Sequence, residues 1–115
     1  MINKMLAKKD QKKLALLAAS QAMRVLKYFE KKYPKDKRPR KAISAARDWA
    51  KGKIKCGQAR KAALAAHAAA RKAPHFSDAQ FAARACGHAA ATAHVAGHAD
   101  GVVWYIEKIK RAEKV

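Results

Sequence analysis

An all-α fold, a single compact domain formed as an alanine-rich bundle of about five helices, is what the sequence predicts, on three observations. Apolar residues recur at three- and four-residue steps almost from end to end. No segment sustains a period-two alternation or concentrates β-branched residues, so strands are not expected. About a quarter of the 115 residues are alanine, a good helix former that buries little area. Helices with alanine on their facing sides can approach below the usual ~8–10 Å interaxial distance, so close backbone packing must be anchored by a few large side chains. Trp49, Trp104, Phe29 and Phe81 are the expected anchors. The length suits one domain, residues 1–115, and is too short for two.

The elements follow in order, at about residues 11–32, 39–51, 57–72, 78–95 and 99–113. Leu14, Leu17, Ala18, Ala22, Val25, Tyr28 and Phe29 form the apolar side of a first helix, with Lys13, Ser20, Arg24, Lys27 and Lys31 opposite and Asp10 placed to cap it. Pro34 ends it or follows its end, and "YPKDKRP" makes a charged linker. Pro39 suits the first turn of a second helix, whose apolar side is Ala42, Ile43, Ala46, Trp49 and Ala50, and Gly52 is its stop. After "KIKCG", a narrow stripe of Ala59, Ala62, Ala63, Ala66, Ala70 and Ala73 marks a third helix, closed by Pro74. Ser77 with Gln80 is a capping-box pattern, so a fourth helix starts at Asp78. The last segment sets Val102, Val103, Ile106 and Ile109 against Glu107, Lys108, Lys110 and Arg111. Pattern alone leaves Gly97 to Gly101 open between a turn and a kink in one long helix.

The N-terminal "MINKMLAKKDQKK" has no apolar core or cleavage site of a targeting signal. The longest apolar run, "AALAAHAAA", is half of the ~20 residues a membrane span needs. Cys56 and Cys86 form neither a CxxC pair nor a disulfide framework, which points to reduced thiols and a cytoplasmic setting. The net charge is +19, and it is uneven: residues 1–61 hold 20 basic and 4 acidic side chains, residues 62–115 only 7 and 4. A surface that merely solubilises usually mixes signs. This one suits an acidic protein, a polyanion or an anionic membrane surface, the last ranked third because the aromatic residues of the first helix are more easily used in the core.

The run "CGHAAATAHVAGHADG", Cys86 to Gly101, raises the question of a metal or catalytic site. On one continuous helix His94 and His98 would lie about 40° apart and could share an ion, while His88 would be about 120° from His94 and a poor third ligand. Cys86, Asp100 or His67 would have to complete such a site, and HxxxH without the glutamate of HExxH is a weak signal. No GxSxG, P-loop or paired-carboxylate arrangement accompanies it, so no catalytic residues and no cofactor are assigned. The simpler reading is a close-packed seam in which neutral imidazoles hydrogen-bond within the core. His75, beside Pro74, is expected in an exposed loop.

The stretch "KKYPKDKRPRK" gives a basic face of Lys31, Lys32, Lys35, Lys37, Arg38, Arg40 and Lys41. It suits an acidic protein surface, steered by charge. The alternative is a nucleic-acid module with largely sequence-independent phosphate contacts, made by these side chains and the free amides of the next helix.

Three segments together, "DKRPRKAISAARDWAKGKI", "QARKAALAAHAAARKA" and "CGHAAATAHVAGHADGVVWYIEKI", resemble the family-five-like immunity domain, an immunity protein family of bacterial polymorphic toxin systems. The shared features fall on Arg38-Pro39-Arg40, Trp49, His67 and Ala93 to His98, and with "LALLAASQAMRVLKYFE" the likeness runs from about Leu14 to Ile109. It implies an all-α domain that binds and neutralises a cognate toxin without enzymatic activity, and it brings no catalytic residues. Members of the family often carry acidic residues just before Arg-Pro-Arg, where this chain has Lys35 and Lys37. That departure disfavours a basic nuclease as the partner and favours an acidic toxin.

Overall fold

The computed structural model describes residues 8–114, and side chains from Lys9 to Ile109. Its elements are α1 (Lys8–Glu30), α2 (Arg38–Ala50), α3 (Cys56–Lys72), α4 (Asp78–Ala91) and α5 (His98–Lys114). No strand occurs among the described residues. The Cα radius of gyration, 13.1 Å, is that of one globule of this length.

The bundle is organised around α4, which packs against all four other helices. Its sequence, DAQFAARACGHAAA, is small on nearly every side, and ten of its fourteen residues are buried. Its less buried residues, Asp78, Phe81, Arg84 and His88, recur at three- and four-residue steps along one stripe. The rest of the helix is small and apolar and must be enclosed, and with methyl groups on those sides it can be enclosed closely. Facing stripes answer it: Ala59, Ala63, Ala66, Ala69 and Ala70 of α3, and Ala42, Ile43, Ala45, Ala46 and Trp49 of α2. From α5 come Val102, Ile106 and Ile109.

On α1 the buried stripe is Ala15, Ala18, Ala19, Ala22, Val25, Leu26 and Phe29. It is turned from the expected one: Leu17 is 54% exposed, and Leu14 and Tyr28 are half-buried. Close approach to α4 selects alanines for the contact and sends the leucines to its flanks. Asp10 lies inside the first turn of α1, where it meets the helix dipole, rather than ahead of the helix as a cap.

Of the four expected anchors, Phe29 and Trp49 are buried and Phe81 is half-buried. Trp104 is not an anchor: it is 52% exposed. The buried α5 residues Val102, Ile106 and Ile109 occupy one side, and a residue two positions from Val102 lies about 200° around the helix, on the opposite side. Val103 is exposed for a related reason.

Local chemistry sets the helix ends. Pro39 occupies the first turn of α2. Gly52, at φ +77°, ends that helix in a Schellman arrangement, its N–H donating to the Trp49 carbonyl at 3.0 Å and Lys53 N–H to Asp48 at 2.8 Å. The Ser77 hydroxyl accepts the Gln80 amide at 3.2 Å to start α4. Gln80, however, does not close a capping box. Its Oε1 takes the Phe76 N–H at 3.0 Å and its Nε2 donates to the Ala70 carbonyl at 3.2 Å, stitching α3 to α4.

Gly97 to Gly101 is resolved as a helix boundary. α4 stops at Ala91, short of residue 95, a turn covers 92–97, and α5 opens at His98. Thr92 turns its hydroxyl back onto the His88 carbonyl at 2.9 Å, and Gln11 of α1 donates to the Thr92 and Ala93 carbonyls at 2.9 and 3.2 Å. Carbonyls satisfied in this way no longer need a continuing helix.

Enclosure of α4 predicts a strong size dependence. Ala82→Leu, at a fully buried position of α4, is expected to destabilise by about 1–3 kcal/mol or more through overpacking, whereas Ala68→Leu on the half-buried side of α3 should cost well under that. A chemical denaturation midpoint for each variant checks the difference.

Candidate functional site: a lysine surface and a histidine lattice

Two regions carry charge or chemistry. The first is the α1–α2 linker with its surroundings. Asp36, its side chain only 8% exposed, binds the Arg38 guanidinium at 3.0 Å (Oδ1 to Nε) and 2.7 Å (Oδ2 to Nη2). It also accepts Lys72 Nζ from the end of α3 at 2.7 Å and the Arg38 backbone N–H at 3.1 Å. The Arg38 guanidinium, ahead of the partly opposing cost of burial, holds the Asp36 carboxyl well below the usual carboxylate range. Lys72 lies over the Tyr33 ring at 4.6 Å, so linker and α3 are tied twice. Arg40 goes elsewhere, gripping Glu30 of α1 through two bonds of 2.8 and 2.7 Å, which lowers the Glu30 pKa.

The predicted basic face therefore divides. Arg38 and Arg40 are occupied by carboxylates of this chain. Lys31, Lys32, Lys35, Lys37 and Lys41 are exposed, and among the described residues none makes an ion pair. Lys35, Lys37, Arg38 and Lys41 share one depression around Asp36, and Lys31 and Lys32 line another beside Tyr28 and Pro74.

The second region is a lattice of histidines between α3, α4 and α5. His88 and His98 meet Nδ1 to Nδ1 at 2.9 Å, so one ring donates and the other accepts. His67 of α3 packs edge-on against His88 with ring centroids 5.1 Å apart, and Tyr105 stacks on His88 at 5.5 Å. Arg84 Nη1 donates to His67 Nδ1 at 2.9 Å, which places the His67 proton on Nε2. Two glycines make room for the rings. A Cβ on Gly87 would lie 2.7 Å from His67 Nε2, and one on Gly101 would lie 2.8 Å from His88 Cγ.

This lattice is not the pair the sequence suggested. His94 and His98 do not share a helical face, because the helix breaks between them and leaves His94 exposed in the turn. His67 and His88 are the residues brought to His98 instead. Cys86 is fully buried, where burial pushes its thiol pKa up, and Asp100 is exposed. Among the described residues no group of three His, Cys, Asp or Glu is arranged to hold a metal ion. His75 is exposed. A signal for the lattice was present in the sequence, in the pairing of CGH with HADG, but it requires knowing that each glycine faces a ring on another helix.

The family model described as "Imm-5 like putative immunity protein" matches residues 4–114, nearly the whole chain. The chain belongs to this family. No curated protein and no solved structure matches. The fold and the lattice of this immunity-family chain thus rest on its own residues. Among the described residues, no helix is long and apolar enough to cross a membrane.

Burial, helped by the neighbouring His88 charge, pushes His67 down to about 4, and burial followed by His98 does the same to His88. Both lie below the ordinary imidazole value of 6.5, so between about pH 6.5 and 4 the unfolded chain binds more protons than the folded one and stability falls with falling pH. Asp36 and Glu30, with depressed pKa values, add a further loss below the ordinary carboxylate range. Thermal midpoints should decline from pH 6.5 to 4 and more steeply beyond. A midpoint constant from pH 7 to 4.5 contradicts the neutral lattice.

The glycines give a second expectation, with a change of sign. In the wild type, Gly87→Ala pushes on the His67 ring and destabilises. In a His67→Ala background the same change removes no contact and should stabilise by about 1 kcal/mol, the helix-propensity gain of Ala over Gly. A double-mutant cycle in urea reads the coupling.

Proposed function

We propose that this chain neutralises a cognate toxin by binding it, with no reaction of its own, and that its exposed lysines receive an acidic face of that toxin. Membership of the immunity family supports the class of function. The observation that carries the finer reading is the division of the basic face. The carboxylates within and just before the linker, Asp36 and Glu30, are taken up by Arg38, Lys72 and Arg40, which leaves Lys31, Lys32, Lys35, Lys37 and Lys41 exposed, with Asp78 beside the first two. Exposed lysines clustered without partners create a field that speeds encounter with a negative surface, and rim charges of this kind act mainly on the association rate. The same lysines would attract phosphates, and the test separates the two targets.

The test is co-expression in a bacterial host with toxins encoded beside this chain. Growth arrest by one of them should be relieved, and the purified pair should form a complex whose association slows steeply with salt. Lys35→Glu, Lys37→Glu and Lys41→Glu together should lower the association rate by about tenfold or more at low salt, while Arg38 and Arg40, needed for the linker itself, are left in place. Protection from none of these toxins, together with tight, steeply salt-dependent binding to random duplex DNA at ~150 mM salt, would replace this reading by a nucleic-acid module.

A further inference from the structure

A groove of about 470 Å³ opens where the α3–α4 loop meets α5, and neither the lysine surface nor the core accounts for it. Its walls are a continuous aromatic run. Phe76 lies 6.5 Å from Phe81, Phe81 lies 5.8 Å from Tyr105, and Trp104 meets Tyr105 edge-on at 4.8 Å between ring centroids. Its two flanking cations are Arg71 and Arg84, and among the described residues no carboxylate lines it.

Two features set this groove apart from scattered surface hydrophobes. Phe76 sits at φ +62°, a left-handed conformation that disfavours a large side chain, and the residue is 81% exposed. The buried Gln80 holds that backbone in place by accepting the Phe76 N–H. A phenylalanine that stays mostly exposed although it lies beside Phe81 and His75, held at a strained position by a buried amide, is the pattern of a presented side chain. The second feature is preorganisation from behind. His67 accepts one N–H of Arg84 and so aims the guanidinium, and His88 stacks on Tyr105. His67 is thus a positioning residue for Arg84, and His88 for the aromatic floor.

We propose that this groove is the anchor site for the toxin: it takes an acidic segment of the partner protein that inserts an aromatic or large aliphatic side chain between Phe76 and Trp104 and places carboxylates on Arg71 and Arg84. This deepens, and rests on, the immunity reading above. Charge decides the occupant, since two guanidiniums without a lining carboxylate match an acidic chain, and an arginine fork binds carboxylate in two-bond geometry. Trp104 and Arg71, exposed, with Tyr105 and Arg84, half-buried, in one depression also have the composition of interface hot spots. A single-stranded nucleic acid could stack on the same rings, but the lysines that would track its backbone line other depressions.

A displayed random-peptide library panned on the full chain tests the site without knowledge of the toxin. Selected peptides should centre on Trp, Phe or Leu flanked by Asp or Glu. A synthetic consensus peptide should change the emission of the half-exposed Trp104 while buried Trp49 reports little. Phe76→Asn, which tolerates the left-handed backbone, and Trp104→Ala should each weaken it by about tenfold or more with the circular dichroism spectrum unchanged. His67→Ala should weaken the acidic peptide more than its Gln-substituted version, which a purely structural role would not do. No enrichment, a basic consensus, equal binding to Phe76→Asn and Trp104→Ala, or tighter binding of labelled oligothymidine would overturn the proposal. If those two variants still rescue cells from a toxin the wild type neutralises, the groove is dismissed and the immunity reading stands. Groove-dependent peptide capture with no toxin neutralised sustains the groove as an acidic-segment site and removes the toxin as its occupant.

Discussion

Everything in this fold depends on α4 being thin. A helix whose buried sides are mostly methyl groups and hydrogens can have four neighbours at once, and the buried stripes of α1, α2 and α3 are themselves rich in alanine. The large side chains that ordinarily fill a bundle core are displaced to its edges, so the core holds few of them: Phe29, Leu26, Ile43, Ile109 and Val102 are the largest buried without exposure. Close backbone approach takes their place, and polar links at the helix ends then fix how the helices are staggered. Gln11 ties α1 to the end of α4, Gln80 ties α3 to its beginning, and Asp36 ties the linker to α3.

The same economy explains the histidines. Where Gly87 and Gly101 remove even a methyl group, the imidazoles of His67 and His88 fill the space. Imidazole is flat and carries a donor and an acceptor, so it can lie against backbone on one side and satisfy a neighbour on its edge. The lattice therefore does the work of an aromatic core and also extends outward, to Arg84 and Tyr105 at the surface. The exposed lysines of the linker gather beside α1 and α2, whereas the aromatic run, with Arg71 and Arg84, lies beside α4 and α5. In the proposed function the first serves encounter and the second grip.

The sequence was legible where a local rule decides the outcome. Pro39 at the start of α2, Gly52 at its end, Ser77 before α4 and the alanine stripe of α3 are read from neighbours in the chain, and the structure has them in those roles. Legibility stopped where the answer depended on a partner far along the chain. The face of α1 turned toward alanine because of α4, and Trp104 lies outside because Val102, Ile106 and Ile109 already occupy the buried side. The helix break at Thr92 needs Gln11, 81 residues away, and that break separates His94 from His98. Similarly, seven basic residues in one run gave no hint that Asp36 and Glu30 would take up the two arginines.

The most direct test of the account is amide hydrogen exchange on this chain, alone and bound to a toxin it neutralises. Binding through both regions predicts new protection in the linker from Lys31 to Lys41 and around Phe76 and Trp104, with α4 protected in both states. Protection that appears instead on the outer side of α3 around Leu64, leaving the linker and the Phe76 loop exchanging as before, would contradict it.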